Sequence, residues 1–112
     1  MVRNYFLFLF FVFNNLHLHA QSNTPIELRG TWITNVASDA MLTEKNVKEA
    51  VSNCKRNGLT DIFVVVWNNG LTTYPSKVVK KYIGIGQDPR YNNFDPLASF
   101  VTEGHKLGLK VH

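Results

Sequence analysis

Residues 62–67, IFVVVW, form a continuous apolar run of six, β-branched at four positions. Such a run is the pattern of a strand covered on both faces in a parallel sheet, where no alternation with polar residues is needed. Upstream, residues 26–34 (IELRGTWIT) supply β-formers after Pro25, with Leu28, Gly30 and Trp32 on one face and Arg29, Thr31 and Ile33 on the other. Between these strands Thr43 is an N-cap, Glu44 lies in the first turn, and Val47, Ala50, Val51 and Cys54 follow at helical spacing before Gly58. Downstream, Asp95-Pro96 is an N-cap followed by a first-turn proline. A second helix is expected from there to about Leu107, with Leu97, Phe100, Val101 and Leu107 as its stripe and Gly104 allowing close approach to the sheet. Residues 109–112 then open a third strand. Arg29, within the first strand, is expected to need a carboxylate partner.

The order β-α-β-α-β argues a parallel α/β architecture. Its connections are unequal: the returns from helix to strand are short, whereas residues 68–94 separate the second strand from the second helix, and are expected to form a long irregular loop. The elaboration therefore sits at the carboxyl ends of the strands, the edge that carries binding sites in barrels and open sheets alike. Right-handed crossovers progressing in one direction put both helices on one face and leave the other bare. Closure of a barrel by further strands would cover that face. The turn after the first strand (residues 35–42, NVASDAML) has no glycine-rich phosphate loop, and the Gly84/Gly86 pair lies between neither a strand nor a helix start.

The amino terminus has a different character. Arg3 precedes an apolar run from Tyr5 to Phe13, after which the chain turns polar and reaches Ala20, the arrangement of a secretory signal peptide cleaved after that residue. Nine helical residues reach only about 14 Å against a hydrocarbon core of about 30 Å, so no stable membrane span is expected once the signal is removed. Residues 1–20 are read as the signal and residues 21–112 as the mature part, exported to the periplasm or cell exterior. Hydrophobic residues make up 45% of the chain, partly because five of its eight phenylalanines precede residue 14. Without Arg3 the remainder carries 11 Lys or Arg against 8 Asp or Glu, with no cationic run longer than Lys80-Lys81, which argues against nucleic-acid binding. Cys54 is the single cysteine, so no internal disulfide forms, and its helical phase marks it as a small buried hydrophobe. Past the signal only His105 and His112 remain as histidines, and no cluster has metal-ligand spacing; neither metal nor cofactor is expected.

Three stretches taken together, ELRGTWITN (27–35), DIFVVVWNNGLTTYPSK (61–77) and FDPLASFVTEGHKLGLKVH (94–112), resemble the amino-terminal part of the glycosyl hydrolase-like 10 family, exported bacterial (β/α)8 barrels. The resemblance covers nearly all of the mature part. It implies the opening β-α-β-α-β portion of a TIM barrel, carbohydrate as substrate, and hydrolysis of glycosidic bonds in a polysaccharide or cell-wall glycan. Barrel glycosidases hold paired carboxylates on late strands, which would lie beyond His112, so no catalytic residue is assigned here. Candidate substrate-binding residues stand just past the strands: Asn35, Asn68 and His112 as hydrogen-bonding groups, Trp67 and Tyr74 as flat faces for sugar rings. Tyr82 and Tyr91 are further aromatic candidates, Asp39 and Asp88 are open loop carboxylates, and Asp95 is explained by capping. The alternatives are a barrel that binds carbohydrate without cleaving it, an inactive truncated remnant, and a short chain that covers its bare face by association.

Overall fold

The computed structural model describes residue 25, residues 27–91 and residues 93–112. The signal-peptide reading of residues 1–20 lies outside them. Three strands, β1 (Gly30–Ile33), β2 (Asp61–Val64) and the edge strand that follows the last helix, form a parallel sheet with β2 in the centre. β1 pairs with β2 from Gly30 opposite Asp61 to Ile33 opposite Val64.

Helix α1 (Glu44–Arg56) connects β1 to β2. Its N-cap is Thr43, whose hydroxyl oxygen accepts from the Asn46 backbone N–H at 3.1 Å. Val47, Val51 and Cys54 are its buried stripe, as the spacing predicts. Burial pushes the Cys54 thiol pKa up, which keeps it protonated and unreactive at neutral pH. The chain then leaves β2 sooner than expected. The ladder ends at Val64, and Trp67 belongs instead to a small antiparallel hairpin, β3 (Trp67–Asn68) with β4 (Leu71–Thr72), turned at Asn69-Gly70. Both turn residues have positive φ, 51° and 77°, the requirement of a tight two-residue hairpin. Residues 68–94 are thus not one irregular loop: helix α2 (Lys77–Ile83) and a 3-10 turn at Pro89–Tyr91 follow the hairpin.

Helix α3 (Pro96–Lys106) is capped by Asp95, whose Oδ1 accepts from the Ala98 N–H at 3.0 Å, and leads into β5 (Lys110–Val111). Asp61 and Ile62 of β2 pair with Lys110 and Val111. Helices α1 and α3 pack on each other and on one face of the sheet. Met41, Val47, Val51, Ile62, Phe100 and Leu109 are at most 2% exposed in the core between them.

The opposite face is left open, as the crossover argument predicts. There Trp32 is 70% exposed and lies beside Phe63, which in turn stacks on His112, with ring centroids 5.3 and 4.8 Å apart. Arg29 departs from expectation: it precedes β1, its side chain is exposed, and its backbone oxygen accepts from the Thr60 and Asp61 N–H groups. A side chain in solvent needs no carboxylate partner. The result is a mixed α/β unit with a parallel sheet, consistent with part of a TIM-barrel-like domain. Among the described residues no helix is long and apolar enough to cross a membrane.

Candidate carbohydrate-facing edge

The carboxyl ends of β1 and β2 meet at two amides. Asn68 Nδ2 donates to Asn35 Oδ1 at 3.1 Å, joining residues 33 positions apart. Asn35 is only 3% exposed, whereas Asn68 is partly open. The remaining Asn35 donor, Nδ2, is buried without an acceptor, and the Tyr91 phenol lies close enough to feel the amide. An unpaired buried donor costs about 1–3 kcal/mol, so a structure keeps few of them. That atom is closed off from solvent, so Asn35 holds Asn68 and presents no group outward.

Arg90 ties this point to the excursion. Its Nη1 donates to the Asn35 backbone oxygen at 3.1 Å, while Nε and Nη2 both donate to the Asp88 carboxylate, at 3.0 and 2.7 Å to Oδ2. Asp88 is 9% exposed, and the Arg90 guanidinium holds its carboxyl below the usual range against the opposing effect of burial. The loop carboxylate is therefore an occupied brace. Tyr91 is 1% exposed, a core residue with no face for a sugar, and burial pushes its phenol pKa up. Ala37, just past β1, has φ 51°, a left-handed conformation that costs a non-glycine residue about 1–2 kcal/mol.

Trp67 is 53% exposed on the hairpin beside Asn68, and Tyr74 is half-buried two residues past β4. His112 stands apart from them. Its ring stacks on Phe63 and its Nε2 lies 2.8 Å from Asp61 Oδ1, reaching diagonally back toward the amino end of β2. Asp61 is 2% exposed, and its other oxygen accepts the Thr60 hydroxyl proton; that bond first, and the His112 contact second, lower its pKa. Asp39 remains exposed, with its backbone oxygen accepting from Asn46 Nδ2. The sequence reading passed over Asp61, Arg90 and Gln87. Asp61 had a legible signal, because it shares the phase of Phe63 and so the face of the sheet on which His112 ends. Among the described residues no group of three His, Cys, Asp or Glu side chains is placed to hold a metal.

Asp61 and Asp88 give a pH dependence with a definite sign. Both carboxyls have folded pKa values below their unfolded ones, so their contribution is present at neutral pH and disappears as pH falls through the folded values, below about pH 4. Urea midpoints of the full-length protein should stay level from about pH 7 to 5 and drop below pH 4. Asp61→Asn combined with Asp88→Asn should lower the plateau and flatten that drop; an acid limb of unchanged steepness would refute the assignment.

Proteins named glycosyl hydrolase DigH from Escherichia coli K12, Escherichia coli O157:H7 and Shigella flexneri are each 32% identical to the chain over an 84-residue alignment that covers 71% of the chain. The chain spans 18% of the length of these relatives. No solved structure matches it. The profile of the family described as glycosyl hydrolase-like 10 matches residues 27–112, from just before β1 through β5 and the whole of the amide edge, and on that match the chain belongs to the glycosyl hydrolase-like 10 family.

Proposed function

We propose that residues 21–112 are the opening β-α-β-α-β portion of a (β/α)8 barrel that hydrolyses glycosidic bonds in a polysaccharide or cell-wall glycan. The observation that carries this reading is the Asn35–Asn68 pair at the carboxyl edge of a chain whose family match is continuous across it. Asn68, Trp67 and Tyr74 would form one wall of the sugar site, an amide to bond hydroxyls and two rings to cover the apolar faces of pyranoses. Asn35 would hold the Asn68 amide, and His112, stacked and bonded, would shape the interior beneath. The paired carboxylates that such chemistry needs, an acid and a nucleophile or base, would come from strands after His112. Residues 1–20 would direct export and be removed after Ala20.

The test is release of reducing ends from cell-wall glycan and from other polysaccharides by the full-length gene product. Loss of activity on replacing a carboxylate at a late strand end, with glycan binding kept, is the expected result. Binding with no turnover under any condition would instead make the protein a carbohydrate-binding barrel. Within the residues described, Asn68→Ala should reduce kcat/KM about tenfold, mostly through KM, since one hydrogen bond to substrate is worth about 1–1.5 kcal/mol. An unchanged KM would remove Asn68 from the sugar site.

A further inference from the structure

The part of the chain that fits the barrel reading least is the excursion between β4 and the 3-10 turn. Its neck is closed by hydrogen bonds. The Ser76 N–H donates to the Gly86 oxygen at 2.7 Å, the Thr72 hydroxyl donates to the same oxygen at 3.2 Å, and the Asp88 N–H donates to the Thr72 oxygen at 2.9 Å. Gln87 Nε2 adds bonds to the Thr73 and Phe94 oxygens. A Cβ on Gly86 would come within 3.2 Å of the Ser76 oxygen, so the two arms of the neck are in contact.

Past this fixed neck the chain stands off the fold. Helix α2 has no buried residue, although a seven-residue helix is too short to be sustained by propensity alone and normally depends on a packed apolar face. Of its apolar residues Val78, Tyr82 and Ile83 are 67%, 77% and 50% exposed while Val79 is half-buried, and Ile85 just past the helix is 46% exposed. Between the helix and its return lies an open groove of about 500 Å³ with Pro75, Ile85 and Pro89 in its lining and Lys77 and Lys80 among the residues around it. Residues 74–87 contain three lysines and no carboxylate. Lys48 pairs with Glu44 and Lys106 with Glu103, whereas Lys77, Lys80 and Lys81, like Lys45, Lys55 and Lys110, make no ion pair among the described residues, and only in the excursion do three such lysines cluster without an acid.

We propose that this excursion is a membrane-docking element that rests on a bilayer surface bearing anionic headgroups. The combination of groups selects that partner. A polar polymer would answer the lysines but gain little from Val78, Ile83 and Ile85, whereas a protein layer would answer the aliphatics but desolvate three ammonium groups for which the excursion supplies no counter-charge. A lipid surface answers both, because aliphatic side chains enter the headgroup boundary while lysine stems extend along it and leave their charges among the phosphates. Tyr82, with the Lys81 Nζ 5.7 Å from its ring centroid, has the amphipathic character favoured at that depth. The neck presents the element as a fixed knob instead of a floppy loop.

The test is co-sedimentation of the full-length protein, freed of residues 1–20, with vesicles of phosphatidylcholine alone and of phosphatidylcholine mixed with phosphatidylglycerol. Binding should appear on the mixed vesicles, weaken with added salt, and fall about tenfold or more in the triple variant Lys77→Glu, Lys80→Glu, Lys81→Glu. A second variant, Val78→Ser with Tyr82→Ser, should weaken binding with the lysines intact. Neither variant touches a buried side chain, and far-UV circular dichroism checks that both remain folded. Three results would each overturn the proposal: no binding to mixed vesicles, equal binding to neutral ones, or binding indifferent to the lysines. Lysine-dependent retention on an acidic polysaccharide without vesicle binding would assign the charges to a glycan. Self-association abolished by the serine variant would assign the apolar groups to a second copy. The measurement reads no hydrolysis, so its outcome is independent of the glycosidase reading.

Discussion

Phe100→Ala in the full-length protein is expected to cost about 3–5 kcal/mol, read as a lowered urea midpoint with little change in slope. Phe100 is fully buried on α3, within the core that also holds Val47 and Val51 of α1, Ile62 of β2 and Leu109. A void there lies at the meeting point of two helices and the central strand, where partial collapse would have to move all three. Leu107, at the end of the same helix, supplies the control. It is 40% exposed, so Leu107→Ala should change stability by no more than about 0.5 kcal/mol. Equal costs at the two sites would mean that α3 is rotated from the orientation described.

The contrast between those leucine and phenylalanine positions shows what was legible beforehand. Periodicity placed both on one stripe, where Leu107 proves instead to be an exposed C-cap, and it found the sheet strands, α1 and α3, because each of these buries enough apolar residues to leave a pattern. The Thr43 and Asp95 caps were equally plain, since capping is a local bond between residues three apart. What escaped was the excursion. Strands of two residues are too short to show alternation, and the Asn69-Gly70 turn was their one local signal. Helix α2 has Ser76 as N-cap and Gly84 in the left-handed conformation at its end, but no buried stripe, so the usual evidence for a helix was missing. At the edge, the position of Asn35 and Asn68 past strand ends was enough to name both. Their bond could not be read in advance, because the register that sets Ile33 opposite Val64 and the early departure of the chain from β2 are tertiary facts. The Arg90 brace has the same character: it spans 55 residues in sequence, and no local pattern encodes it.

Gly104→Ala should destabilise the protein even though alanine ordinarily gains about 1 kcal/mol over glycine inside a helix. The sign is decided by what the new methyl would meet. A Cβ at Gly104 falls 2.5 Å from Val111 Cγ2, closer than real carbon atoms approach, and Gly104 is buried at the contact of α3 with β5. Val111 has little room to yield: it is β-branched, stiff at χ1, and its backbone is held opposite Ile62 in the ladder. Either the helix lifts from the strand or the valine leaves its rotamer, and overpacking of this kind costs about 1–3 kcal/mol, more than the helical gain returns. Removing the obstacle should reverse the result. In a Val111→Ala background, itself destabilised by the lost side chain, adding Gly104→Ala should be neutral or stabilising by up to about 1 kcal/mol. The two changes are therefore expected to be strongly non-additive in urea unfolding of the four proteins. Simple additivity would show that the glycine serves no close approach, and a stabilising Gly104→Ala in the parent would show that α3 sits farther from the sheet than the geometry here requires.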